Sequence, residues 1–184
     1  MIEPWKKKHS RYLVSDQWLR LRADRCELAD GREIEPFYVF EFPDWAVVLP
    51  ITSSGELVLV RQYRHGIGQV LLELPGGIIS PDEDALPAAR RELREETGYG
   101  GGDWSVLGSA SANPDSHTNL GRLFLARSVE LQGTQKLDAT ENMEVVLMPA
   151  PEALARAETG RLFVQALHLS ALFLASRRHP ELFT

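Results

Sequence analysis

Between Val70 and Gly98 the chain carries a short apolar strand, a proline followed by two glycines, an acidic loop, and a helical stretch crowded with acids at its end. The strand, Val70 to Leu74, runs straight into Pro75-Gly76-Gly77. Helical periodicity begins near Ala85, and Gly98 supplies the left-handed residue that closes a helix after Thr97. Two starts compete, since Ser80-Pro81-Asp82-Glu83 resembles a capping box and Asp84 is also a good cap. Pro87 decides between them: a start at Pro81 would leave it inside the helix at a cost of roughly 3 kcal/mol, whereas an Asp84 cap puts it in the first turn.

At about 100° per residue, Glu95 lies about 60° to one side of Glu92 and Glu96 about 40° to the other, so the carboxylates share a face. Like charges at this spacing weaken a helix and raise carboxylate pKa values unless a cation relieves them. By itself an acidic face means only a solvated surface. The preceding glycines change its meaning, because they let backbone carbonyls approach a ligand as hard oxygen donors, which suits Mg²⁺ or Mn²⁺.

The chain has 184 residues, 43% of them hydrophobic and 25% charged. That excludes disorder, collagen-like repetition and a disulfide scaffold, and provides for one globular domain, with or without a small appended element. A formal charge of -6 leaves no general basic field for nucleic acid or anionic lipid. A phosphate-bearing partner therefore needs a local device such as a metal. The single Cys26 has no partner within the chain and reads as a half-buried strand residue in a reducing compartment. Lys6, Lys7 and Lys8 are not followed by an apolar leader run, so the cytoplasm is the expected location. The apolar stretch Leu162 to Ala175 is broken by Gln165, His168 and Ser170 and is shorter than the roughly 20 residues of a membrane span. It reads as a packed helix, with His168 a core or surface residue.

Elsewhere periodicity and punctuation organise the chain. Trp18 to Leu28 and Ile34 to Phe42 flank Ala29-Asp30-Gly31-Arg32, a hairpin signal that makes residues 11–42 a β arm. Trp45 to Ile51 and Glu56 to Arg61 bracket Thr52-Ser53-Ser54-Gly55 as a second hairpin, apolar on both faces and so more deeply buried. Strands are expected near Trp104 to Ser111, Arg122 to Leu131 and Met143 to Met148, and helices at Pro151 to Glu158 and Leu162 to Ser176. The class is α+β, a mixed sheet with flanking helices.

Gly77, five residues, Glu83, seven residues, then Arg91-Glu92-Leu93-Arg94-Glu95-Glu96-Thr97-Gly98-Tyr99 resembles the signature of the Nudix hydrolases without a gap. Tyr99 stands where that family usually has an aliphatic residue. The resemblance implies an α/β/α sandwich with a mixed sheet over residues 45–184, and an N-terminal antiparallel β arm over residues 1–44 that serves dimerisation. It implies that Glu92, Glu95, Glu96 and the Gly76 carbonyl hold catalytic Mg²⁺, with Mn²⁺ as a possible substitute. Glu83 and Arg91 would support those ligands, Arg91 by pairing with carboxylates it can grip but cannot replace on a cation. The implied reaction is hydrolysis of a nucleoside diphosphate linked to another group.

The resemblance is most specific to the ADP-ribose pyrophosphatases and nucleoside-diphosphate-sugar hydrolases. Glu73-Leu74-Pro75-Gly76-Gly77, Arg61-Gln62-Tyr63-Arg64 and Pro114 are similar to that branch, which implies contacts to substrate from Arg64, Glu73 and Pro114. Asp138 to Glu144 is similar to a late loop that carries a further catalytic glutamate, with Glu141 as general base or water-orienting group and Glu144 as runner-up. Asn113 to Asn119 departs from the branch's glycine-containing acidic stretch, so ribose, mannose or glucose on ADP or GDP all remain open. His117 in that loop is a candidate for a sugar or phosphate contact, and Phe37, Tyr38 and Trp45 are candidates for stacking on a base. The partners implied are a small nucleoside diphosphate sugar and a second copy of the chain, with no nucleic acid and no membrane. A nucleotide-sugar-binding module without turnover and an RNA-cap hydrolase are the competing classes. The first is opposed by the full set of motif acids, the second by the acidic balance.

Overall fold

The computed structural model describes residues 2–184. Two compact units share the chain: one takes in the residues up to Pro43 together with Ser111–Asn119, the other Asp44–Ala110 and Leu120–Thr184.

The first unit is a three-stranded antiparallel sheet, in the order β1 (Lys6–Ser15), β2 (Arg20–Glu27), β3 (Glu33–Glu41). The hairpin between β2 and β3 forms at the expected Asp-Gly, where Leu28 N–H donates to the Arg32 carbonyl at 2.8 Å and Gly31 takes a φ of +84°. The strand β1 falls within the expected arm but was not marked out by periodicity, because its three lysines hide the alternation; its side chains are nearly all exposed. Cys26 lies in β2 and is buried. Asp24 is buried in the same strand, where it accepts from Ser10 Oγ at 2.5 Å and pairs with Arg22 at 3.0 Å; Arg22 also grips Glu41. The Ser111–Asn119 segment pairs with the end of β3 through Phe40 N–H to the Ser116 carbonyl at 2.8 Å.

The second unit is an α/β/α sandwich. Its sheet runs β11 (Met143–Pro149), β5 (Glu56–Arg64), β4 (Trp45–Thr52), β10 (Gly121–Leu131), β8 (Tyr99–Gly100), and β9 (Asp103–Ala110) also pairs with β10. The continuous apolar run of β4 follows from burial on both faces. Ala46 and Val48 face the helix α1 (Ala85–Thr97) with Ala88, Ala89 and Leu93, while Val47 and Leu49 face α3 (Ala166–Arg178) with Leu167 and Leu172. Tyr99 packs partly buried against the α1 side, so an aromatic ring is accommodated there. A short helix α2 (Ala150–Glu158) and a final 3-10 turn at Pro180–Phe183 complete the α3 side. No helix among the described residues is long and apolar enough to cross a membrane.

Two departures from expectation bear on the site. The hairpin of β4 and β5 closes through Gly55 N–H to the Thr52 carbonyl at 3.0 Å, yet the strands pair only at Ile51 and Leu57 before they part. Into the fork runs the segment after β5: β6 (Gln69–Glu73) pairs antiparallel with β5 and β7 (Gly76–Ile78) pairs antiparallel with β4, so that Leu74 and Pro75 cross from one neighbour to the other. The last long helix starts at Ala166, not Leu162. Leu162 and Phe163 are buried in the core as irregular backbone, and Gln165 precedes the helix with an extended ψ of 125°. Apolar side chains there serve burial without serving helical periodicity.

Candidate active site

The helix α1 begins and ends where Pro87 and Gly98 require, with Asp84 at the cap position and Gly98 at a φ of +75°. The Asp84 side chain makes no capping hydrogen bond. Glu92 and Glu96 point from the end of α1 toward β7, whereas Glu95 is more open. Glu96 is 4% exposed and accepts from the Gly76 N–H at 2.8 Å. Both glycines of the elbow are required by close approach. A Cβ at Gly76, whose φ is +156°, would stand 2.1 Å from the Ala46 carbonyl oxygen, and one at Gly77 would stand 2.6 Å from the Glu92 carboxylate.

Arg91 ties the acids together. Its guanidinium donates to Glu83 at 3.1 and 3.0 Å, to Glu92 at 2.8 Å, to Glu95 at 3.0 Å and to the Ile78 carbonyl at 3.2 Å. The Arg91 hydrogen bond holds the Glu83 carboxyl below its usual range, and the same contacts hold Arg91 fully charged. Glu92 and Glu96 are displaced the other way. Burial pushes Glu92 up in spite of Arg91, and it pushes Glu96 up to about 8 in spite of the Gly76 N–H, with the charges of Glu92 and Glu141 adding to the push.

This donor set fits a divalent cation. A carboxylate withdrawn from water and placed beside others is destabilised unless positive charge stands against it, and hard oxygen donors are what Mg²⁺ takes. Among the described residues no three of the His, Cys, Asp and Glu side chains already form a closed cage. Arg91 occupies one oxygen on each of Glu92 and Glu95, which leaves the other oxygen of each for an ion. An open site of this kind suits an ion that keeps waters or takes phosphate oxygens from a substrate.

A cavity of about 870 Å³ opens over these acids. Arg61, Arg64 and Lys136 line it alongside Glu92, Glu96 and Glu141, so cations and anions share one wall. Arg64 is held by Glu73, a buried carboxylate that accepts from Arg64 Nε at 2.9 Å and Nη2 at 2.7 Å and from Gln62 Nε2 at 3.0 Å. Glu73 thus braces Arg64. Gln62 was not singled out from the sequence, although its place two residues before Arg64 on a strand puts both on one face.

The loop before β11 is pinned to the end of α1. Gln135 Nε2 donates to the Glu96 carbonyl at 2.7 Å, and Lys136 N–H donates to the Glu95 carbonyl at 2.8 Å. Nothing in the local pattern signals either clamp. Beyond them Glu141 accepts from the Asp138 N–H at 2.9 Å and lines the cavity. Glu144 is paired across the β5–β11 ladder with Arg61 at 3.0 Å.

Phe37, Tyr38, Pro114 and His117 belong to the first unit and are not among the residues that line this cavity. Phe37 meets Trp5 edge-on, Tyr38 is half exposed, Pro114 is exposed in a turn, and His117 stands edge-on to Phe40 and Phe42. Trp45 packs partly buried against the core on the α3 side.

Residues 42–167 match the NUDIX domain, and residues 5–40 match the nucleoside diphosphate sugar hydrolase N-terminal domain. A methanol dehydrogenase activator of Bacillus methanolicus is 28% identical over 152 residues, 82% of each chain. An ADP-ribose pyrophosphatase of Mycobacterium tuberculosis is 31% identical over 144 residues, 77% of this chain and 69% of its own. The crystal structure of an ADP compounds hydrolase superposes with a TM-score of 0.86 over 98% of this chain and 97% of its own, at 22% identity, a likeness of fold.

Proposed function

Since this chain belongs to the Nudix family of hydrolases, we propose that it is a Mg²⁺-dependent pyrophosphohydrolase that cleaves ADP-ribose, or a related nucleoside diphosphate sugar, to a nucleoside monophosphate and a sugar phosphate. The observation that carries this reading is the burial of Glu96 beside Glu92 at the glycine elbow, an excess of negative charge that a bound cation would offset. Glu92, Glu95, Glu96 and the Gly76 carbonyl would hold that ion. When bound, a divalent cation supplies neutralisation of the diphosphate and of the leaving phosphate oxygen.

The remaining roles fall to the chain's own groups. Arg64, kept in place by Glu73, would bind a phosphate oxygen of the substrate from the cavity wall. Arg91, with Glu83 on its far side, would orient Glu92 and Glu95. Glu141, whose carboxylate lines the cavity, would draw a proton from the attacking water or hold that water in line. The pairing of Glu144 with Arg61 favours Glu141 for this task.

The match of residues 5–40 to the N-terminal domain of nucleoside diphosphate sugar hydrolases supports ADP-ribose or a similar substrate, and with the exposed Trp5, Tyr12 and Tyr38 it supports a homodimer. The free Cys26 thiol suits a reducing compartment such as the cytoplasm.

A panel of ADP-ribose, ADP-glucose, GDP-mannose, NADH and diadenosine polyphosphates, with product analysis, tests the proposal. The expected outcome is release of a nucleoside monophosphate that requires Mg²⁺ or Mn²⁺, stops with EDTA and is fastest with ADP-ribose. Saturable binding without hydrolysis in either metal would instead mark a sensing module.

A further inference from the structure

Where the segment after β5 crosses from one strand of the fork to the other, its backbone leaves both ladders. The pairing of β6 with β5 ends at Glu73, and the pairing of β7 with β4 begins at Gly76. Pro75 has no N–H to place, and its carbonyl accepts from Val48 N–H at 3.0 Å. Leu74 is 2% exposed and its N–H has no strand opposite it. A buried N–H without a partner is costly, so the crossing needs an acceptor from outside the sheet.

That acceptor comes from α3. We propose that His168 is a positioning residue for the glycine elbow: its Nδ1 accepts the Leu74 N–H at 3.3 Å and fixes the crossing that delivers Gly76 to the end of α1. The contact spans 94 positions of sequence and joins α3 to the crossing. His168 is 4% exposed and its ring lies edge-on to Phe163 at 5.7 Å, so it has little freedom to leave. Nδ1 accepts only in the neutral tautomer that carries its proton on Nε2. Burial supports that form, pushing the imidazole pKa down to about 3.

The consequence is a chain of constraints along four residues. The Glu73 side chain is gripped by Gln62 and Arg64, the Leu74 N–H by His168, the Pro75 carbonyl by Val48, and the Gly76 N–H by Glu96. Loss of the second link would let the elbow shift and take with it the Gly76 carbonyl and the partner of Glu96. The effect on turnover rests on the function proposed above; the contact itself does not.

The test compares H168N, whose Oδ1 reproduces the Nδ1 acceptor, with H168L, which removes it. In H168L the Leu74 amide should exchange with solvent at least about tenfold faster, the Mg²⁺ concentration for half-maximal activity should rise about tenfold, and kcat should fall by a similar factor with KM for the nucleotide sugar within about twofold. H168N should restore most of each. Should H168L not fold, H168N against H168Q serves, because glutamine carries its acceptor too far out; the asparagine variant should lead by about tenfold. Wild-type exchange, kcat and metal requirement in folded H168L would overturn the proposal, as would equal losses in H168N and in H168L or H168Q. A wild-type enzyme inert in metal would instead defeat the functional reading, while amide exchange at Leu74 would still decide the contact.

Discussion

A carboxylate withdrawn from water is stable only with a proton or a cation beside it, and among the described residues the Glu96 carboxylate is met by one backbone N–H, that of Gly76. Replacement by glutamine keeps an acceptor for Gly76 while removing the charge. E96Q should therefore cut metal-dependent turnover by at least about a hundredfold, and its Tm in metal-free buffer should be no lower than that of the wild type. Wild-type turnover in E96Q would sink the assignment of this acid to the ion. At this scale the sequence was legible where spacing carries geometry. Glu92, Glu95 and Glu96 share the expected face, and Gly76 and Gly77 stand where a side chain would collide. Gln135 and Lys136 were illegible as partners of the end of α1, and His168 as the partner of Leu74, because these contacts join segments far apart in the chain.

At the scale of elements, the boundaries of α1 follow from local chemistry, with Pro87 and Gly98 as its punctuation. The cap is a different matter. Asp84 occupies the expected position but is exposed and bonds to none of the first-turn N–H groups. D84A should lower unfolding stability by less than about 0.5 kcal/mol, against the roughly 1 kcal/mol usual for a bonded cap. Urea denaturation measures it, and a loss above about 1 kcal/mol would mean that the side chain caps in solution. The fork between β4 and β5 belongs to this scale too. Thr52 to Gly55 signals a hairpin correctly, yet a turn governs only its nearest pairs. Once past Ile51 and Leu57, the strands are separated by β6 and β7, whose backbone groups pair with the edges that β4 and β5 would otherwise offer each other.

For the whole molecule the linkage of His168 to folding gives a measurable pH dependence. Its folded pKa near 3 lies below the unfolded 6.5, so between these values the unfolded chain binds a proton that the folded one refuses. Its contribution is present in full above about pH 6.5 and is lost as pH falls toward 3, with a slope of up to about 1.4 kcal/mol per pH unit. The raised carboxyl of Glu96 works in the opposite sense, so the measurement is the difference between wild type and H168N, in which the acids cancel. That difference should steepen below pH 6.5; a flat one would mean that the imidazole is protonated in the fold. By itself the sequence determined the class of fold, the helix that carries the acids, the glycine elbow before it and the shared face of Glu92, Glu95 and Glu96, because these follow from periodicity and from spacing along neighbouring elements. Only the tertiary structure decided that β4 and β5 part, that Glu73 braces Arg64, and that a buried histidine from the last helix holds Leu74. Those are choices among distant partners for buried polar groups, and a buried N–H or carboxylate takes whichever partner packing brings within reach.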